Sequence, residues 1–132
     1  MKGYFPEGGN EMETSKVFIY CRVLSEEARS LLEYQEDVLR EYADMLDIEV
    51  FAVAREIGSG KHFGSRGMEK LIYYVVNEKV NIIFVYDKTR ICIYDELFAE
   101  FKMLCDKHDV LIVTMDELKL LYDKNLFLGH DE

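Results

Sequence analysis

The sequence predicts one α/β domain of three layers, with a mostly parallel central sheet and helices on both faces. Two observations carry that expectation. Short β-branched and aromatic runs alternate with longer stretches whose apolar residues recur at helical spacing, and such alternation implies parallel strands joined by right-handed crossovers. The first run, Val17-Phe18-Ile19-Tyr20-Cys21-Arg22-Val23, lacks polar–apolar alternation, which places it centrally with both faces covered. A chain of 132 residues is long enough to bury one core without staples.

The elements follow in order. Lys16 to Arg22 is the first strand. Ser25-Glu26-Glu27 reads as a helix start, with a hydroxyl to accept from a first-turn amide and two acids suited to the positive end of the dipole. That helix runs to about Leu46, with Ala28, Leu31, Leu32, Val38, Leu39, Tyr42, Ala43 and Leu46 forming one stripe. Ile48 to Ala54 is the second strand. Arg55 to Gly67 holds four glycines and reads as a long, mobile loop. Met68, Leu71, Ile72, Val75 and Val76 mark a second helix, and Val80 to Tyr86 the next strand. Asp87-Lys88-Thr89-Arg90 leaves its carboxyl end. Asp95 opens a third helix, Val110 to Thr114 is the fourth strand, and Asp116-Glu117-Leu118 begins a short helix. The folded unit is expected over residues 16–122, between a flexible tail at 1–15 and a C-terminal tail at 123–132. Leu126-Phe127-Leu128 is expected to tuck back onto the domain, the alternative being a contact patch.

Composition narrows the function classes. The proportions, 49% hydrophobic and 32% charged, are those of a soluble globular protein, and no apolar run approaches a spanning helix. Cys21, Cys92 and Cys105 are odd in number and lack paired spacing, which indicates reduced thiols in a cytoplasm rather than a disulfide framework or zinc site. His62, His108 and His130 have no ligand spacing either, so no metal and no cofactor is expected; His108 reads as a helix cap. A net charge of −10 opposes long-range attraction to nucleic acid or an anionic membrane, so the chain alone is expected to bind DNA only weakly.

The tract Tyr20-Cys21-Arg22-Val23, with Ser25-Glu26-Glu27 and Leu32-Glu33-Tyr34-Gln35, resembles the opening of the serine recombinases, the resolvase and invertase family, with their Tyr-x-Arg-Val-Ser signature. Arg55 to Gly60 is similar to the family's glycine loop, and Ile82 to Arg90 to its next strand and arginine-bearing turn. The resemblance spans roughly Val17 to Leu118. It implies a Rossmann-like resolvase catalytic-domain fold, and in active members DNA strand exchange by serine attack on a phosphodiester. That chemistry needs a hydroxyl in line and several cationic donors around the phosphoryl oxygens.

Here the carry-over is partial. Arg22 and Gln35 match the family's arginine and glutamine, and Arg90 matches the first arginine after the third strand. Leu24, an alkyl side chain, falls on the nucleophile. In the loop, Arg-x-Gly-Leu meets Ser65-Arg66-Gly67-Met68, so Ser65 holds the arginine's slot and Arg66 lies one residue late. Past the third strand, Asp-Arg-Leu-x-Arg meets Thr89-Arg90-Ile91-Cys92-Ile93, so Thr89 replaces the aspartate and Ile93 the second arginine. The expected catalytic set is therefore Arg22 and Arg90, with Ser25 as a substitute nucleophile whose competing role is capping. Arg22, Lys61, Arg66, Lys88 and Arg90 form an expected anion-binding rim, joined by His62; the alternative is solvated charges paired with carboxylates.

The resulting expectation is a catalytically inactive resolvase-like domain, a pseudoenzyme serving as a binding or regulatory module on an active recombinase or through self-association. Two alternatives stay open. One is the catalytic domain of a site-specific serine recombinase from a mobile element; the other is a remnant of a prophage or transposon.

Overall fold

A computed structural model describes residues 14–130. A four-stranded, all-parallel sheet is ordered β2-β1-β3-β4. The strands are β1 (Lys16–Val23), β2 (Glu49–Ile57), β3 (Ile82–Val85) and β4 (Leu111–Thr114), and the helices are α1 (Arg29–Met45), α2 (Arg66–Val76), α3 (Asp95–Lys107) and α4 (Met115–His130). Short 3₁₀ turns at Glu26–Ala28 and Lys88–Arg90 follow β1 and β3. The three-layer α/β class is as the sequence predicts.

β1 is central, and every residue after Lys16 is buried. Alternation sorts its side chains between two cores. Phe18 and Tyr20 face a cluster closed by Met68, Leu71 and Val75 of α2 and by Phe101 and Cys105 of α3. Val17, Ile19, Cys21 and Val23 face another, closed by Leu32, Leu39 and Ala43 of α1 and by Leu118 of α4. Helices on both faces explain why this strand reads as a continuous apolar run.

The connections into β2, β3 and β4 share one device. Asp47, Glu78 and Asp109 each adopt a positive φ of 55–59° just past a helix end. The next residue's amide then reaches back to a last-turn carbonyl: Ile48 to Ala43 at 2.9 Å, Lys79 to Tyr74 at 2.9 Å, Val110 to Cys105 at 2.8 Å. This is the turn that glycine usually makes. An acidic residue makes it three times here, so the sequence carries no glycine to mark these helix ends.

Three expectations need correction. The first helix does not start at Ser25: a 3₁₀ turn intervenes, the regular helix begins at Arg29, and the Ser25 side chain makes no capping bond to a helix amide. β2 continues three residues beyond Ala54 because its register with β1 persists through Arg22↔Glu56 and Val23↔Ile57. The tract expected to be a mobile loop is therefore strand at its start and helix at its end. The helix after β4 is long, sixteen residues, and extends through most of the segment expected as a C-terminal tail. Residues 1–13, and the side chains of Leu126-Phe127-Leu128, lie outside the described structure.

Both sheet edges are blunted. β4 has only four residues, and the Glu117 carboxylate accepts from the Thr114 amide at 2.9 Å. On β2 the register skips Phe51, a bulge, and Lys70 Nζ donates to the Val53 carbonyl at 3.1 Å. Short strands, bulges and lysines all discourage edge-to-edge pairing.

Candidate functional site at the carboxyl ends of the strands

In a parallel sheet the strand ends gather loops and helix starts on one rim. Here the rim is organised by Arg22, one residue before the end of β1. Its side chain is buried, and each guanidinium nitrogen donates to a backbone carbonyl. Nε reaches Arg90 O at 2.8 Å, Nη1 reaches Gly58 O at 2.7 Å, and Nη2 reaches Thr89 O at 2.6 Å. Gly60 packs against the same group: a Cβ there would lie 2.5 Å from Arg22 Cζ, and its φ is +72°. Gly60 O in turn accepts from the Ile93 amide at 2.9 Å. Arg22 thus brackets the segments that follow β2 and β3. Burial holds its pKa below the ordinary value.

The backbone of Arg22 is fixed from the other face. Gln35 of α1 is buried; its Oε1 accepts from Arg22 N at 3.2 Å and its Nε2 donates to Arg22 O at 3.1 Å. A side-chain amide supplies both a donor and an acceptor, so it completes the strand end where no neighbouring strand does. Arg90 Nη1 also reaches Arg22 O, at 3.2 Å. Its guanidinium lies 5.6 Å from the Tyr86 ring, and its Nε is 3.6 Å from Asp87 Oδ2. That Nε is buried and makes no hydrogen bond among the described residues.

The other sequence-predicted residues are dispersed around this bracket. Leu24 projects from the end of β1, 71% exposed. Ser25 is half-buried, and its hydroxyl makes no capping bond; Arg22 and Arg90 are not among its partners. Lys61 and Arg66 are exposed and form no ion pair among the described residues. Lys88 pairs with Asp95 at 3.4 Å, and His62 Nδ1 accepts from Gly64 N at 3.0 Å. His108 occupies the α3 C-cap position, but its ring faces Glu78 at 3.3 Å. Among the described residues, no cluster of His, Cys, Asp and Glu is arranged to hold a metal.

Sequence reasoning missed Glu56. It accepts from the Tyr20 hydroxyl, from Ser65 Oγ at 2.8 Å and from the Gly67 amide at 2.8 Å. Ser65 Oγ accepts from Met68 N at 3.3 Å, so Ser65, expected in the family's arginine slot, is the N-cap of α2. Gly67 admits the carboxylate: a Cβ there would lie 2.6 Å from Glu56 Cδ. Burial, then the Glu56 hydrogen bond, push the Tyr20 phenol well above its usual pKa. The available signal was one carboxylate at an inward strand position eleven residues before a glycine.

A four-stranded parallel α/β domain with arginine and glutamine at the end of its first strand defines a catalytic-domain class, and the comparisons name the family. The family model for the resolvase N-terminal domain matches residues 17–128, and the chain belongs to the resolvase family of serine recombinases. Among solved structures it is similar to the C-terminal catalytic domain of ISC1926 TnpA, an IS607-like serine recombinase, with TM-score 0.72 and 27% identity over 76% of this chain and 70% of that one. A serine recombinase from Sulfolobus solfataricus matches with TM-score 0.68 and 27% identity, over 77% of this chain and 69% of that one. The N-terminal catalytic domain of TP901-1 integrase matches in fold, with TM-score 0.70 and 22% identity over 89% of this chain and 99% of that one. A search of functionally characterised sequences returns no match. No described helix is long and apolar enough to cross a membrane.

Proposed function

We propose that this chain is a non-cleaving serine recombinase domain, a pseudoenzyme that works by binding to recombinase-family protein rather than by breaking DNA. The observation that carries the reading is Leu24. The family's attacking hydroxyl falls on an exposed alkyl side chain, which has no oxygen to form a phosphoester. Electrostatics cannot replace a nucleophile, and the cations are reduced as well. Arg22 is engaged by three carbonyls, and Ser65 and Ile93 occupy two arginine slots. Arg90, Lys61, Arg66 and Lys88 are what is left to meet an anion. Loss of a nucleophile together with supporting cations lowers rates by many orders of magnitude.

The competing reading makes Ser25 the nucleophile, since its hydroxyl follows Leu24 directly. Incubation with suicide DNA substrates tests both. The expected result is no covalent protein–DNA adduct, with Ser25→Ala indistinguishable from the unmodified chain. An adduct that disappears in Ser25→Ala overturns the non-cleaving reading.

A further inference from the structure

The edge of the sheet formed by β4 borders a cavity of about 580 Å³, a size that holds a small ligand or a few side chains of a peptide. Its floor is apolar: Phe98 and Ile112 are half-buried, and Leu111 is 44% exposed. The edge also presents a backbone donor. The Leu111 amide bonds Asn81 O inside the sheet at 3.0 Å, so alternation along the parallel ladder turns the Ile112 and Thr114 amides outward. Glu117 takes that of Thr114, which leaves Ile112 facing the groove. An apolar floor beside an outward amide suits an extended peptide, which brings carbonyls and side chains together. Charge does not choose the occupant: Lys88 and Lys102 pair with Asp95 and Asp106 at 3.4 and 3.2 Å, and Asp109 and Glu117 share the wall.

Chain path chooses it instead. Ser15 forms part of the cavity wall, and Asn81 holds the chain on either side of it, accepting from Lys16 N at 2.8 Å and donating to Thr14 O at 3.0 Å. The chain therefore enters β1 beside the start of β3, on the side of the sheet where β4 lies. Residues 1–13 precede this point and carry Tyr4, Phe5 and Met12. Four extended residues match β4 in length, about 13 Å, and Phe5 can reach roughly 33 Å from Ser15. A segment joined to the cavity's own wall is present there at an effective concentration on the order of millimolar, which a free peptide seldom matches. We propose that residues 1–13 of this chain occupy the groove, with Tyr4 and Phe5 covering its floor between α3 and β4. The inference goes beyond the binding-module reading: the N-terminal segment is a built-in cover for the β4 edge, whether or not the domain cuts DNA.

The test is NMR on the full chain, with two readouts. In hydrogen exchange, the Ile112 amide should exchange at least about tenfold faster in Tyr4→Ser/Phe5→Ser than in the unmodified chain, while the amides of the opposite edge, on β2, keep their rates. For the second readout a nitroxide is attached at Gly3→Cys, the native thiols being buried. It should broaden the Lys102 and Ile112 amides to less than half their intensity and spare β2, and the broadening should vanish when Tyr4→Ser/Phe5→Ser is added. A mixture of nitroxide-bearing chain with isotope-labelled, nitroxide-free chain should show no broadening. An Ile112 rate indifferent to Tyr4→Ser/Phe5→Ser overturns the proposal, as does broadening that falls equally on β2. Broadening in the mixture also overturns it, by assigning the groove to a segment of another molecule.

Discussion

Replacing Arg22 tests whether its guanidinium is a bracket or a free cation. The three carbonyl bonds, at 2.6–2.8 Å, have a charged donor and are partly buried. Each such bond contributes about 1.5–3 kcal/mol, so three give a ceiling of about 4.5–9 kcal/mol. Water entering the space left by Arg22→Ala recovers part of this, leaving an expected loss of about 3–5 kcal/mol. Against a total of about 5–15 kcal/mol the variant should be marginal, with a melting temperature lower by roughly 10–20 °C. Arg22→Lys separates charge from shape: an ammonium keeps the charge but cannot span three carbonyls with a planar fork, so it should recover less than half of the loss. Arg90→Ala is the comparison, with one carbonyl bond at 3.2 Å and an expected cost of about 1 kcal/mol. Urea unfolding with thermal melts reads all three. If Arg22→Ala lies within about 0.5 kcal/mol of the unmodified chain, the guanidinium is not holding the loops.

Four further outcomes are set by the geometry. Gly60→Ala should destabilise by about 2–3 kcal/mol in urea unfolding, since it meets both a positive φ and the Arg22 guanidinium; in the Arg22→Ala background the cost should fall to the backbone part alone. Glu78→Gly should raise stability by up to about 1 kcal/mol, because glycine takes the left-handed turn without strain; an unchanged or lower urea midpoint refutes this. Leu24→Ser should form no adduct with suicide DNA, as Arg22 stays engaged and Ile93 stays apolar; an adduct would show that the nucleophile was the only deficiency. Burial pushes the Cys21 and Cys105 thiols from 9.0 up to about 12, so the folded chain holds protons that the unfolded chain releases. Stability from this source is complete below pH 9 and declines as pH rises toward 12; a urea midpoint that stays level from about pH 8.5 to about 10.5 counts against it.

The three layers were legible because β1 holds five consecutive apolar residues and the helices that follow carry apolar stripes; which helix closes which core was not. Helix ends were legible less well, since Asp47, Glu78 and Asp109 stand where glycine usually does. The strand-end chemistry was legible in residue type but not in partnership. Arg22 was readable as a rim cation, but nothing in its neighbours says that its donors turn inward to Gly58, Thr89 and Arg90, residues 36 to 68 positions away in the chain. Ser25 followed by two glutamates has the composition of a cap, yet the intervening 3₁₀ turn leaves its side chain no helix amide to accept from.

Glu56 shows how hydrogen bonds from three directions make a strand end rigid. Its carboxylate takes hydrogen bonds from Tyr20 on β1, Ser65 at the α2 N-cap and the Gly67 amide in the first turn of α2. An anion at that position is favoured by the helix dipole, and the bonds tie the carboxyl end of β2 to the next helix. Arg22 does the same from the cationic side, fastening β1 to the segments beyond β2 and β3. Charged residues so placed have most of their hydrogen-bonding capacity taken up inside the fold. The strand ends are thus held by inward bonds, and the side chain that faces solvent just past the end of β1 is that of Leu24.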